Sequence, residues 1–307
     1  MSYEFITPVF TSEQPKMATG AFNPGYIKYG KLGEGQFGVV YKIMAGGQLY
    51  ALKKLKKMPN LDRNALEKEI RTLDMCSDHP NIVKMITGWI DGEIAIQMEY
   101  CDLGTLNDYL IENRQGERIL GSFMLDMARG LRHLHRKKFI HRDIKPDNIL
   151  LVARPGYVPI CKIADVGLAR LTFPTSGNTT TISYTYYMTT GLCTPLYASP
   201  EVFSGQYTTA CDIFSLGVVF YAMHSLQTFH VGNKTLLYPV IPQSNGMFHR
   251  VSQEEIESAV ATHVSNRQKA SLVRSMLSLE PRARPGADAV ESTISSYEST
   301  HFSCSLV

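Results

Sequence analysis

Gly33, Gly35 and Gly38 stand in the spacing G-x-G-x-x-G, and their missing β-carbons let backbone N–H groups approach phosphate oxygens. Fifteen residues later, Lys53 offers a point charge that reaches the same oxygens if another group fixes it in place. Glu69 is the candidate for that task. Further along, HRDIKPDN, from His141 to Asn148, gathers acids, cations and an amide into eight residues, and Asp165 follows it. Phosphate chemistry is the common theme of these side chains.

The surrounding pattern says how they are positioned. From Tyr26 to about Tyr100 the chain alternates as short strands (YIKYGKL, FGVVYKI, QLYALKKL), with Gly46-Gly47 as a hairpin turn. A dinucleotide-binding turn would open into a helix, whereas VVYKI and QLYALKKL follow these glycines, so a flap between two strands is the better reading. The same strand context makes KKLKK, Lys53 to Lys57, structural rather than an import signal. One helix interrupts the strands: Leu66, Ile70 and Leu73 recur at i, i+4 and i+7, and Glu69 lies in the same arc. A carboxylate facing a core needs a cation, which points back to Lys53. After Cys101 the period turns helical through SFMLDMARGLRHLHRKK, DIFSLGVVFYAM and NRQKASLVRSMLSL. Asp212 to Met223 is apolar nearly all round, which predicts a buried central helix.

HRDIKPDN resembles the catalytic loop of protein kinases, H-R-D-x-K-P-x-N, and the likeness extends over residues 26 to 290. Asp165-Val166-Gly167 is similar to the metal-binding D-F-G, Ser199-Pro200-Glu201 to A-P-E, and Arg284 stands where kinases place the partner of that glutamate. The resemblance implies an α+β, two-lobed fold, with an antiparallel N-lobe sheet carrying one helix and a larger, mainly helical C-lobe. Residues 1–25 lack periodicity and carry Pro8, Pro15, Gly20, Pro24 and Gly25, so they read as a flexible, poorly ordered extension; the resemblance then gives N-lobe and hinge over 26–101, C-lobe over 102–293 and a tail over 294–307. It implies Asp143 as the base that orients and deprotonates a hydroxyl, Lys145 as the cation beside the transferring group, and Asn148 and Asp165 as magnesium ligands. Leu32, Val40, Ala51 and Leu150 would enclose the adenine of ATP, Met98 would be the gatekeeper, and the main chain of Glu99 and Cys101 would bind the base. The set is complete, which argues against a catalytically silent relative.

Lys145 and Thr194 match the serine/threonine pattern, so the expected partners are ATP and proteins bearing serine or threonine. Ala198 stands where proline-directed kinases carry arginine. Of three acids that bind substrate arginines in cyclic-nucleotide-dependent kinases, the aligned residues here are Thr105, Asp147 and Ala222, and only one acid remains. The segment YMTTGLCTPLYASPEVFSGQYTTACDIFSLGVVFYAM also resembles the Clik-type nuclear serine/threonine kinases. Arg142 directly precedes Asp143 and faces the expected activation segment, where Thr190, or else Thr189, has the spacing of an activating phosphothreonine.

The net charge of +3 is too small to argue for nucleic acid or an acidic membrane surface. No run approaches eighteen apolar residues, so no membrane partner is expected. The six cysteines form no CxxC pair, which fits free thiols in a reducing, intracellular compartment, cytoplasmic or nuclear.

Overall fold

The computed structural model describes residues 17–18, 25–35, 38–56, 70, 73–91, 93–166, 194–204, 208–237 and 252–303. Leu66, Glu69, Gly167, Thr189, Thr190, Cys193 and Cys304 lie outside the described residues.

The N-terminal half builds one sheet from β1 (Met17–Ala18), β2 (Ile27–Glu34), β3 (Gly38–Ala45), β4 (Gln48–Leu55), β5 (Met85–Asp91) and β6 (Glu93–Glu99). Their order is β1-β5-β6-β4-β3-β2, with β2 to β6 paired antiparallel. Gly46 and Gly47 close the two-residue β3–β4 turn, since Ala45 pairs with Gln48. Met17 and Ala18, inside the segment expected to be an unstructured extension, add to the edge of β5 in parallel, opposite Gly88 and Trp89. Ile70 and residues 73–76 are helical. Ile70 packs with Met85, Ile96 and Leu73 beneath the sheet, as the apolar spacing predicted.

The C-terminal half is mainly helical: α1 (Leu106–Glu112), α2 (Glu117–Arg136), α3 (Thr209–Ser225), α4 (Gln253–His263), α5 (Arg267–Met276) and α6 (Ala287–Ser303). Helix α2 buries Leu120, Phe123, Met124, Met127, Leu131 and Leu134, a stripe at helical spacing. Each such side chain contributes about 1.5–3 kcal/mol by leaving water. His133, His135 and Arg136 occupy its last turn, where the helix dipole favours cations. Helix α3 is buried continuously from Cys211 to Met223, so the central helix read from DIFSLGVVFYAM is the axis of the large core. Helix α6 runs on past residue 293, through part of the segment read as a tail.

Two short hairpins complete the architecture. β7 (Ile149–Arg154) and β8 (Tyr157–Ile163) pair antiparallel, while β9 (Thr228–Val231) and β10 (Lys234–Leu237) form a second ribbon. Just after the hinge Leu103 N donates to Leu151 O at 3.1 Å and Leu151 N to Gly104 O at 2.9 Å, and across the two halves Val83 N donates to Ile163 O at 2.9 Å. This holds the strand that precedes Asp165 against the base of the sheet.

Candidate active site

The sheet register assembles the side chains of the small lobe. Gly33 lies opposite Val40, Val40 opposite Lys53 and Lys53 opposite Ile96, giving one row across β2, β3, β4 and β6. A second row sets Ala51 opposite Met98. Cys101, Val83 and Ala164 form an apolar cluster against which Met98 and Leu150 pack. All the residues expected around adenine except the half-exposed Leu32, at 47%, therefore border this strand register or cluster. Burial pushes the Cys101 thiol up to about 12, with Glu99 adding to the effect, so this cysteine is a packing group and not a thiolate.

The glycines divide by cause. A β-carbon on Gly38 would stand 2.1 Å from the carbonyl oxygen of Lys54, so this position needs glycine for strand packing alone. Around Gly33 and Gly35 there is open space, which is what approach to a phosphate requires. Gly35 N donates to Gly38 O at 2.9 Å and closes the turn between β2 and β3.

Lys53 is 4% exposed and its Nζ donates to Asp165 Oδ1 at 2.7 Å. The sequence offered Glu69 as its fixer, and Glu69 lies outside the described residues; the contact that the structure does show ties β4 of the small lobe to the strand end after β8. Burial alone would raise the Asp165 carboxyl, but Lys53, then Lys145 and His141, outweigh it and hold the group below the usual aspartate value.

Asp143 is held from within its own loop. Lys145 Nζ lies 2.9 Å from Asp143 Oδ2, and Asn148 Nδ2 donates to Asp143 O and Oδ2, both at 2.8 Å. Asp143 Oδ1 is buried, and among the described residues no hydrogen-bond partner reaches it. A buried acceptor left open is costly unless a ligand completes it. Burial alone would depress the Lys145 ammonium, yet Asp143, Asp147 and Asp165 together raise it above the ordinary lysine value. It is therefore a fixed cation in a site built from three carboxylates.

Two residues hold left-handed backbone here, Arg142 at φ 69° and Asp165 at φ 56°. Such conformations cost of order 1–3 kcal/mol each and persist only under external restraint. For the loop that restraint is Asp212, 1% exposed in the first turn of α3. Its Oδ2 accepts from His141 N at 2.8 Å and meets His135 Nε2 at 2.9 Å, while Oδ1 accepts from Arg142 N at 2.8 Å. His141 Nε2 meets Ala164 O at 2.8 Å and Asp143 N donates to its Nδ1 at 3.2 Å, so one tautomer links the loop to the residue before Asp165. The roles of His135, His141 and Asp212 were not assigned from sequence. The available signal was a carboxylate opening a helix apolar on all sides, which must be satisfied internally.

Glu201 and Arg284 meet as the sequence proposed, Nη1 to Oε1 at 2.5 Å and Nη2 to Oε2 at 3.0 Å. Asp165 and Asn148 supply carboxylate and amide oxygens, hard donors suited to magnesium. With its Nδ2 donating to Asp143, Asn148 turns its amide oxygen the other way, so the donor set fits such an ion.

Comparison with known proteins gives a consistent picture. The family described as Protein kinase domain matches residues 26–293. A Drosophila melanogaster protein named "Membrane-associated tyrosine- and threonine-specific cdc2-inhibitory kinase" is 29% identical over 283 residues, covering 90% of this chain and 48% of that protein. A Dictyostelium discoideum "Probable protein kinase" is 34% identical over 206 residues, covering 63% of this chain and 54% of that protein. The chain spans about half the length of these curated relatives.

Proposed function

The chain belongs to the protein kinase family, and from that premise we propose that it transfers the γ-phosphoryl group of magnesium-bound ATP to serine or threonine hydroxyls of protein substrates. The observation that carries this reading is Asp143: Oδ2 is held by Lys145 and Asn148, while Oδ1 is buried with no partner among the described residues. That oxygen accepts the substrate hydroxyl, orients its lone pair and takes its proton. The hydroxyl oxygen then bonds to the γ-phosphorus as the bond to the β–γ bridging oxygen breaks, releasing ADP. Lys145 neutralises charge on the moving group, and Lys53 anchors phosphate oxygens under Gly33 and Gly35. Asp165 and Asn148 would hold magnesium, which neutralises the phosphates when bound. Leu32, Val40, Ala51, Met98 and Leu150 enclose adenine, whose polar edge meets the main chain of Glu99 and Cys101.

Lys145 at its place after Asp143, together with Thr194, supports serine and threonine as acceptors. One relative is described as tyrosine- and threonine-specific, so the acceptor is the point to test. Purified protein given magnesium and γ-labelled ATP, followed by acid hydrolysis of labelled substrate, will yield phosphoserine and phosphothreonine. Phosphotyrosine as a main product would replace this reading with dual specificity.

The regulatory part of the proposal is phosphorylation of Thr190, or else Thr189, adding about −1.5 to −2 charge near Arg142. We place the activity inside the cell, where Cys76, Cys101, Cys161 and Cys211, all buried, would stay reduced. Four segments follow from the same reading: extension 1–25, N-lobe and hinge 26–101, C-lobe 102–293 and tail 294–307.

A further inference from the structure

The β9–β10 ribbon follows the central helix and reaches back to the catalytic loop. Val231 pairs with Lys234, so its turn is the dipeptide Gly232-Asn233, and Gly232 has φ 56°. Glycine at the first place of a two-residue hairpin turn meets the demand for positive φ there. The ribbon is anchored from two directions. Asn107 of α1, fully buried, donates Nδ2 to Thr235 O at 3.0 Å and accepts from Leu237 N at 2.9 Å, standing in for a strand partner. Tyr197, just before Ser199-Pro200-Glu201, donates its hydroxyl to Leu237 O at 2.7 Å.

This anchoring fixes where β10 begins, and its first residue, Lys234, donates Nζ to Asp147 Oδ1. Asp147 precedes Asn148, whose amide binds Asp143, and it lies close enough to Lys145 to raise that ammonium. A substrate that sets its hydroxyl on Asp143 Oδ1 runs on at about 3.3 Å per residue. A side chain one or two positions from the acceptor therefore passes Asp147. With a free carboxylate there, a substrate arginine would gain a charge-assisted bond; with the ammonium of Lys234 there, it meets like charge instead.

We propose that Lys234 is a specificity-determining residue, which occupies Asp147 from within the chain and closes the subsite beside the phosphoacceptor to basic side chains of protein substrates. The inference rests on the reading that Asp143 receives the substrate hydroxyl. An exposed ion pair by itself is weak; this one is pre-organised by a ribbon that Asn107 and Tyr197 hold in register.

The test uses one neutral serine peptide and six variants with a single arginine walked through three positions on each side of the serine. Wild type, Lys234→Ala, Lys234→Gln and Lys234→Ala/Asp147→Ala are compared at low salt, after melting curves confirm that each is folded. Wild type is expected to use all seven peptides within about twofold. Lys234→Ala and Lys234→Gln gain about three- to tenfold in kcat/KM for arginine at one position, and the double variant loses that gain. An unchanged arginine preference in both Lys234 variants overturns the proposal. Should no protein turn over any peptide, the kinase reading fails, and binding of the same labelled peptides still decides this one: tighter arginine binding in the Lys234 variants supports it, equal binding overturns it.

Discussion

Val166 is 3% exposed and lines, with Leu73, Met85, Ile96 and Met98, a small, mostly apolar and partly open pocket beside Asp165. Kinases resembling this chain carry an aromatic ring at that place, and a smaller side chain leaves packing worth about 1–3 kcal/mol unmade. We predict that Val166→Phe raises the melting temperature and the basal turnover, because the ring enters existing space and holds Asp165 more firmly; a lower melting temperature would show the site to be already filled. At this scale much was readable in the sequence. Asp143, Lys145 and Asn148 converge because they share one tight loop, where spacing nearly dictates geometry. Lys53 with Asp165 was not readable as a contact, since the two are 112 positions apart and meet only through the docking of two lobes. Helical spacing pointed to Glu69, a local signal, and Glu69 lies outside the described residues.

Elements were legible where their pattern was strong and local. The run DIFSLGVVFYAM is apolar on every side, and α3 is buried on every side. The β9–β10 ribbon was missed, although Gly232-Asn233 between TFHV and KTLL is a hairpin signal of the same kind as Gly46-Gly47. The turn before α3 depends on one ion pair. Burial would raise the Glu201 carboxyl, but Arg284, fixed further by Ser278 O and Ala210 O, overcomes that and lowers it from 4.5. A carboxyl lowered on folding contributes stability that is present above its unfolded pKa and is lost as pH falls through the folded one. Arg284→Ala should therefore cost about 3–5 kcal/mol near neutral pH, where it strands a nearly buried carboxylate. Denaturant titrations across pH check the sign: the deficit shrinks below pH 4.5 as Glu201 takes a proton in both proteins. A deficit that grew on acidification would contradict this account of the pair.

Over the whole molecule, the strands around Lys53 and the loop around Asp143 face one cleft, joined by the Lys53–Asp165 contact and the Val83–Ile163 hydrogen bond. A ligand held by both lobes stabilises both. Magnesium-ATP at a hundred times its dissociation constant should add about 2.7 kcal/mol, which for a chain of this size is about 4 °C in melting temperature. No shift in a melting scan would mean that the cleft does not take nucleotide. The two-lobed plan was visible in the change from strand to helix period at Cys101, whereas β1 on the edge of β5 was not, because two residues carry no period. What the architecture exists to position is one carboxylate oxygen, and the most direct measurement is transfer of label from γ-labelled ATP to a casein-like substrate by wild type and by Asp143→Asn. The account predicts phosphorylation by wild type and a loss of about 10²–10⁴ in rate for the variant, with its fold and nucleotide-induced melting shift intact. Equal rates in the two proteins, or ATP binding by wild type without any transfer, would contradict it.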